Sequence, residues 1–327
     1  MILVTGGAGY IGSHTVKLLL ESGYDVVTYD SMELGHPAAV VGGAIVRGDL
    51  MDRERLAHTF DEFPIDAVIH FAAYASVGDS VADPAKYFTN NLCGGLNLLQ
   101  AMLDHDVKRI IFSSSAATYG EPIHVPIEET HPQNPTNPYG ESKLIFEKIL
   151  KWYDAAYGLR SVSLRYFNAA GADPDGQIGE DHDPEQHLIP VVLQTALGLR
   201  ESVKVFGTDW DTPDGTCIRD YIHVTDLADA HILALKALEN GARTTAYNLG
   251  NGDGYSVKQV IKSAEQVVGA GIPYEAAPRR PGDPARLVAS SEKLKKELGW
   301  RPRFPQLARI VETAWRWHSA HPRGYSE

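Results

Sequence analysis

The chain has 327 residues, with 30 Lys plus Arg against 42 Asp plus Glu and a formal charge of −12. That balance argues against nucleic acid or an anionic membrane as the main partner and leaves room for a local cationic pocket only. Two cysteines, Cys93 and Cys217, exclude a disulfide framework, and a composition of 43% hydrophobic and 22% charged residues is that of an ordinary globular protein.

The predicted elements alternate through the first half. Ile2 to Thr5 is an apolar strand that ends in glycines, and Tyr10 to Ser22 is a helix stopped by Gly23. Asp25 to Asp30 and Ala44 to Gly48 read as strands, Arg53 to Phe63 as a helix before Pro64, and Asp66 to His70 as a fourth strand. Pro84 to His105 reads as one long helix, Lys108 to Ser113 as a strand, Tyr139 to Tyr157 as a helix behind Pro138, and Ser161 to Tyr166 as a strand. Continuous apolar strands alternating with helices predict an α/β fold, a Rossmann-type doubly wound parallel sheet.

After about Asn168 the pattern turns irregular, with Pro, Gly, Asp and His clustered from Gly171 to Pro190 and prolines again from Pro273 to Pro284. A smaller mixed α/β substrate domain is expected there, while a helix over Thr225 to Asn240 and a strand over Thr245 to Leu249 return to the first unit. The expected division is 1–167 with 217–250 for the cofactor, and 168–216 with 251–327 for the substrate. The N-terminus has no basic segment and no long apolar core, so no signal peptide is expected, and no apolar run is long enough for a bilayer. The default expectation is a cytoplasmic protein with no nucleic-acid or membrane partner.

Gly6-Gly7-Ala8-Gly9-Tyr10-Ile11-Gly12 lies between the first strand and the first helix. Glycine is needed there because a side chain blocks the approach of backbone to a pyrophosphate, and the helix N-terminus then supplies N–H groups and partial positive charge. Asp30 at the end of the second strand suits ribose hydroxyls and repels a 2′-phosphate, which favours NAD over NADP. Asp49 follows the third strand and is placed toward adenine. The small trio Phe71-Ala72-Ala73 after the fourth strand leaves room for a cofactor or simply packs.

Tyr139 and Lys143 stand one helical turn apart, and Ser113-Ser114-Ser115 ends the neighbouring strand. Ser, Tyr and Lys in this combination suit hydride chemistry on an alcohol. Bringing a phenol from about 10 to about 7 costs about 4 kcal/mol. An ammonium about 5 Å away supplies about 3 kcal/mol at an effective dielectric of 20. Lys143 is therefore expected to lower the pKa of Tyr139.

These stretches resemble the extended short-chain dehydrogenase/reductase family over essentially the whole chain. The matching segments are Thr5 to His14, His70-Phe-Ala-Ala73, Phe112 to Ala116, Asn137-Pro-Tyr-Gly-Glu-Ser-Lys143 and Leu164-Arg-Tyr-Phe-Asn168. Arg219-Asp-Tyr-Ile-His-Val224, Tyr247-Asn-Leu-Gly250 and Arg279-Arg-Pro-Gly-Asp283, with Leu164 to Asn168, point within the family toward nucleotide-sugar epimerases. The resemblance implies NAD-dependent 4-epimerisation of a UDP-hexose through a 4-keto intermediate. Tyr139 would be the base at the sugar 4-hydroxyl, Lys143 its activator, and Ser115 its hydrogen-bonding partner. Tyr10, Ile11, Ser31, Leu50, Asn90, Ser113 and Tyr166 join the glycines, Asp30, Asp49 and Phe71 to Ala73 as implied cofactor positions. Asn168, His187, Leu188, Phe206, Arg219, Tyr221, Arg280, Asp283 and Leu287 are the implied substrate positions. Two arginines suit a diphosphate because guanidinium binds phosphate oxygens bidentately. A homodimer is implied through the helices over Pro84 to His105 and Tyr139 to Tyr157.

Some positions depart from the family pattern. Tyr74-Ala75 replaces a Lys found in some members, His187 replaces Asn, and Leu287 stands where some members gate the sugar pocket with Tyr. The smaller Leu287 leaves open an N-acetylated sugar. UDP-glucuronate and UDP-pentose epimerisation, and cofactor sensing without chemistry, also stay open. A 4,6-dehydratase is disfavoured because Ala116-Ala117 follow Ser115 where that chemistry needs an acid pair. No metal is expected: the 13 histidines show no H-E-x-x-H, and His70, His131 and His223 read as packed or surface residues.

Overall fold

The computed structural model describes residues 1–280 and 283–325. In chain order the first half comprises β1 (Ile2–Thr5), α1 (Tyr10–Glu21), β2 (Val26–Asp30), β3 (Ala44–Arg47), α2 (Arg53–Glu62) and β4 (Ala67–His70). It continues with α3 (Val77–Ala82), α4 (Pro84–Phe88), α5 (Gly95–Asp104), β5 (Arg109–Ser115), α6 (Pro138–Tyr157) and β6 (Arg160–Tyr166). The second half comprises β7 (Asn168–Ala170), α7 (Leu188–Ala196), β8 (Val203–Phe206), β9 (Ile218–Arg219), β10 (Tyr221–His223), α8 (Val224–Glu239) and β11 (Thr245–Leu249). It closes with β12 (Tyr255–Ser256), α9 (Val257–Val268), β13 (Tyr274–Ala277), β14 (Arg286–Leu287), α10 (Glu292–Leu298) and α11 (Leu307–Ala320).

Three local expectations change. The helix expected over Pro84 to His105 is interrupted by a π-helical stretch, Thr89–Gly94, between α4 and α5. Its buried Asn91 accepts the Tyr74 N–H at 2.9 Å and donates to the Tyr74 carbonyl at 3.1 Å and to Ser142 at 3.2 Å. A widened turn where a side chain bonds inward is a common use of π geometry. Helix α3 was not expected, and Ser76 caps it by accepting the Asp79 N–H. The proline-rich stretch after Pro273 holds β13, which pairs in parallel with β8. Pro281 and Gly282 of the Arg279–Asp283 motif lie outside the described residues.

Seven strands form one sheet in the order β11-β6-β5-β4-β1-β2-β3, and every adjacent pair is parallel. Alternation along each strand feeds two faces. Ile2, Val4 and Val26 pack with Val16, Leu19, Leu227 and Leu235 of α1 and α8, while Leu3 and Val27 pack with Leu56, Leu98, Phe146 and Leu150 of α2, α5 and α6. Leu294 and Trp300 join the α1/α8 face, where the Trp300 indole donates to the Asp226 carbonyl at 3.0 Å. A third core forms between α7, α9 and α11, around Val192, Val260, Ile310 and Val311. Strand order reverses between β1 and β4, so the crevice at the carboxyl ends of β1, β4 and β5 is where a doubly wound sheet binds its ligand.

Burial holds four histidines neutral. It draws His70 and His223 down to about 3, and His14 and His231 down to about 4. Their folded-state values lie below the unfolded value of about 6.5, so the unfolded chain takes up protons first as pH falls. The stability they leave intact above about pH 6.5 is lost toward pH 4 and pH 3. Each engaged histidine contributes a slope of up to about 1.4 kcal/mol per pH unit. The urea midpoint is expected to drop steeply between pH 6.5 and about 4.5, and a flat profile over that window would contradict this account.

Candidate active site

The loop after β1 closes tightly on α1. A Cβ on Gly12 would lie 2.1 Å from the Gly6 carbonyl, so only glycine lets the loop and helix approach. A Cβ on Gly9 would meet only that same oxygen, at 3.5 Å, so this side of the loop is clear. Gly9 is the N-cap of α1, with no side-chain cap and no acidic residue in the first turn. The partial positive charge of this helix end is left for an anion. The Asp30 carboxylate accepts the N–H of Ala8 at 3.0 Å and of Met32 at 2.9 Å, which locks the end of β2 to the loop.

The other implied cofactor positions divide by what their side chains do. Tyr10 is buried and donates to the Gly171 carbonyl at 2.6 Å, and Ile11 packs against the α1/α8 core. Ser31 accepts the Glu33 N–H at 3.3 Å. Strand β3 stops at Arg47, so exposed Asp49 stands beyond it and accepts the Met51 N–H at 2.8 Å, while Leu50 is buried. Phe71 and Ala72 donate their N–H groups to the Thr5 carbonyl at 2.9 and 3.1 Å, and Ala73 follows, half-buried. Asn90 donates to Asn91 at 3.0 Å.

Helix α6 starts where Asn137 caps it, accepting the Gly140 N–H at 2.9 Å, with Pro138 in the first turn. Tyr139 thus enters the first turn and Lys143 the next. A Cβ on Gly140 would lie 2.4 Å from the Ala117 carbonyl, so glycine lets α6 close on the turn that follows β5. That contact brings Tyr139 beside Ser115, whose hydroxyl acts to lower the phenol pKa. Lys143 is buried, donates to the Ser113 carbonyl at 2.8 Å and sits 5.8 Å from the Tyr139 ring centre. Ser113 bonds the Tyr166 hydroxyl. Ser113, Ser115, Tyr139, Lys143 and Tyr166 therefore form one connected group.

Its electrostatics differ from the sequence expectation. Burial pushes the Tyr139 phenol up, and the Ser115 hydrogen bond pulls it part of the way back. Burial also draws Lys143 down to about 7. A lysine this dry does not hold a full positive charge against the phenol at neutral pH, so burial outweighs the Coulomb attraction.

The implied substrate positions are spread over β7, α7, β8, β9 and β14. Arg219 pairs in register with Leu287, donates to the Pro284 carbonyl at 2.9 Å and comes within 3.6 Å of the Asp283 carboxylate. The exposed Arg280 stacks 3.9 Å over the Phe206 ring. Asn168 donates to the Asp220 carbonyl at 2.8 Å. His187 stands at the N-cap position of α7 without a side-chain capping bond, its ring instead bonding Glu180 at 2.6 Å, with Leu188 against the third core. Tyr221 is buried inside that core, which makes it packing beside Arg219.

Residues 2–250 match the model of the NAD dependent epimerase/dehydratase family. The chain belongs to this family. A UDP-glucose 4-epimerase of Halalkalibacterium halodurans is 58% identical over 325 residues, 99% of this chain and 97% of that one. A crystal structure of a UDP-glucose 4-epimerase superposes with a TM-score of 0.98 at 54% identity, covering 100% of this chain and 99% of the other. One from Bifidobacterium longum, in complex with NAD+ and UDP, has a TM-score of 0.93 at 43% identity over 99% of each chain.

Several residues that shape this family member's crevice escaped the sequence reading. Buried Asp220 accepts the N–H groups of Asn251 at 2.7 Å, Gly252 at 3.1 Å and Ala289 at 3.0 Å, and so anchors the strand that carries Arg219. Burial raises its carboxyl while those three bonds oppose the shift. Asn91 holds the Tyr74 loop against α6. Glu147 and Arg165 form a buried ion pair behind the serine run, at 2.6 Å. Asp220 sits inside a quoted motif, yet its partners come from far along the chain.

Proposed function

We infer that the chain is an NAD-dependent UDP-glucose 4-epimerase, interconverting UDP-galactose and UDP-glucose. The single observation that carries the reading is that Ser115, Tyr139 and Lys143 meet in the sheet crevice of a chain alike over its full length to UDP-glucose 4-epimerases.

The residues present fit NAD. Gly9 leaves the loop clear, the α1 N-terminus carries no side-chain cap and no acidic residue in its first turn, and Asp30 is held as an acceptor at the end of β2. When bound, NAD supplies the reversible hydride acceptor and a positive nicotinamide ring. Tyr139 takes the proton of the sugar 4-hydroxyl as the 4-keto sugar forms and returns it afterwards. Ser115 orients that hydroxyl, and Lys143, fixed by the Ser113 carbonyl, holds the ribose side of the pocket. Because the protein alone raises the phenol, Tyr139 becomes a competent base only with added positive charge nearby, which ties proton removal to hydride readiness. Gly9→Val suits the extended backbone there, φ −79° and ψ 173°, yet fills the clear side of the loop. It is expected to unfold normally on heating and to purify with at least about tenfold less NAD, the size of loss one well-placed contact supplies.

Arg219 and Arg280 are proposed to hold the diphosphate, with Asp283, Asn168, His187, Leu188 and Phe206 around the nucleotide. The sheet unit, 1–167 with 217–250, is proposed to carry the cofactor, and 168–216 with 251–327 the nucleotide sugar. A homodimer through α4, α5 and α6 is proposed, supported by the exposed Trp152, Tyr157 and Leu96 on those helices. Among the described residues no helix is long and apolar enough to cross a membrane. A cytoplasmic location belongs to the same proposal.

NMR of the purified protein mixed with UDP-galactose, first without and then with added NAD, tests the reading. UDP-glucose must appear. No conversion in either case, with turnover of a UDP-uronate or UDP-pentose instead, would replace it. Leu287 beside Arg219 leaves room for an N-acetylated sugar, so Leu287→Tyr is expected to lower conversion of UDP-N-acetylgalactosamine while sparing UDP-galactose. Equal rates on the N-acetyl sugar before and after the change would remove Leu287 as a gate.

A further inference from the structure

Between β7 and α7 the chain folds Glu180, His182, Glu185 and His187 into one cluster. Each offers a ligand atom, and these atoms lie within 4.8 Å of one another. Both histidines turn Nδ1 inward. His182 Nδ1 is 3.4 Å from Glu180 Oε1 and 3.5 Å from Glu185 Oε2, and His187 Nδ1 is 3.6 Å from the other Glu185 oxygen, Oε1. Bonds of about 2.0–2.2 Å at tetrahedral angles put ligand atoms about 3.3–3.6 Å apart. Of the four His–Glu contacts, the hydrogen bond from His187 to Glu180, at 2.6 Å, is shorter.

The second observation concerns atoms left over. Glu185 Oε2 and His182 Nδ1 are buried with no hydrogen-bond partner among the described residues. The Glu185 side chain is 3% exposed. Its other oxygen accepts the N–H groups of Gln186 and His187, both at 2.8 Å, which turns Oε2 toward His182. That is the outer support a metal-ligating carboxylate requires. Two buried carboxylates hold protons on the neighbouring imidazoles, and a dication balances the same charge by displacing those protons.

The geometry points to a closed, tetrahedral Zn²⁺ site made by Glu180, His182, Glu185 and His187. All four positions are filled by protein, so the ion is structural and leaves no open position for a water nucleophile. It pins the segment before α7 against the cofactor helix, where the Tyr10 ring meets the His182 ring edge-on at 6.3 Å. The proposal stands against the expectation of no metal, which rested on the absence of H-E-x-x-H and did not weigh E-x-H-x-x-E-x-H.

The test is a metal titration of the full-length, purified protein after dialysis against a chelator. One equivalent of Zn²⁺ per chain is expected to rebind and to raise the thermal midpoint. Co²⁺ in its place is expected to give the intense visible bands of a tetrahedral ion. His182→Ala and Glu185→Gln are each expected to weaken Zn²⁺ binding tenfold or more. Glu185→Gln keeps the side-chain volume, so a folding failure of His182→Ala alone does not shelter the proposal. Sub-stoichiometric zinc, the weak bands of octahedral cobalt, or undiminished binding by both variants overturns it, and the cluster is then a set of His–Glu ion pairs.

Discussion

Tyr139→Phe is expected to lower kcat for UDP-galactose by about 10²–10⁴-fold, the usual contribution of one positioned acid–base group. The phenol oxygen is the only atom removed. The ring keeps its place in the first turn of α6, with Asn137 still capping the helix. Burial disfavours only the phenolate and leaves the neutral phenol unstrained at neutral pH, so the fold is expected to lose little stability beyond the Ser115 contact. NAD content is expected to stay the same, because the glycine loop and Asp30 are untouched. Ser115→Ala is expected to cost less, since Tyr139 then keeps its proton-transfer role and loses only its partner. The decisive reading is kcat of the NAD-loaded variant beside its thermal midpoint. A loss of less than tenfold would remove Tyr139 from the proton path and leave Tyr166, joined to Ser113 in the same group, as the next phenol to test.

Glu147→Gln is expected to destabilise the protein by about 3–5 kcal/mol, the cost of removing one partner from a buried ion pair. Arg165 Nε donates to Oε1 of Glu147 at 2.9 Å and Nη2 to Oε2 at 2.6 Å, and the two side chains are 4% and 2% exposed. Ser114 donates to the same carboxylate at 2.6 Å. Arg165 also reaches Tyr119 at 2.8 Å, and Tyr119 donates to Asn248 of β11 at 2.6 Å. The network therefore spans β5, β6, β11 and α6, directly behind Ser113 and Ser115. Glutamine matches the volume but leaves the guanidinium buried without its counter-charge. Urea unfolding at neutral pH measures the loss. A change below about 1 kcal/mol would mean that water reaches Arg165, as for a surface pair.

The cofactor loop and the Tyr139–Lys143 pair were legible because their chemistry is local. Glycine spacing between a strand and a helix, and two side chains one turn apart, are set by backbone geometry within a few residues. The parallel sheet was legible for a similar reason, since strands buried on both faces read as continuous apolar runs. The Glu180 to His187 cluster was also within reach, because its spacing is printed in the chain. Asn91 was not, as nothing in its neighbourhood announces that a π turn aims its amide at Tyr74 and Ser142.

The sequence by itself determined the alternation of elements, the glycine loop, the acidic residue that ends β2, the Ser-Tyr-Lys set and the family. Tertiary structure alone decided that Asp220 bonds Asn251, Gly252 and Ala289, that Glu147 faces Arg165, and that Tyr221 packs in the third core while Arg280 stacks on Phe206. It also decided that burial raises the Tyr139 phenol and lowers Lys143, because desolvation depends on what the whole fold packs around them. Spacing along a chain carries the direction of a side chain over one turn, whereas burial and long-range pairing are properties of surfaces that meet only when the chain has folded.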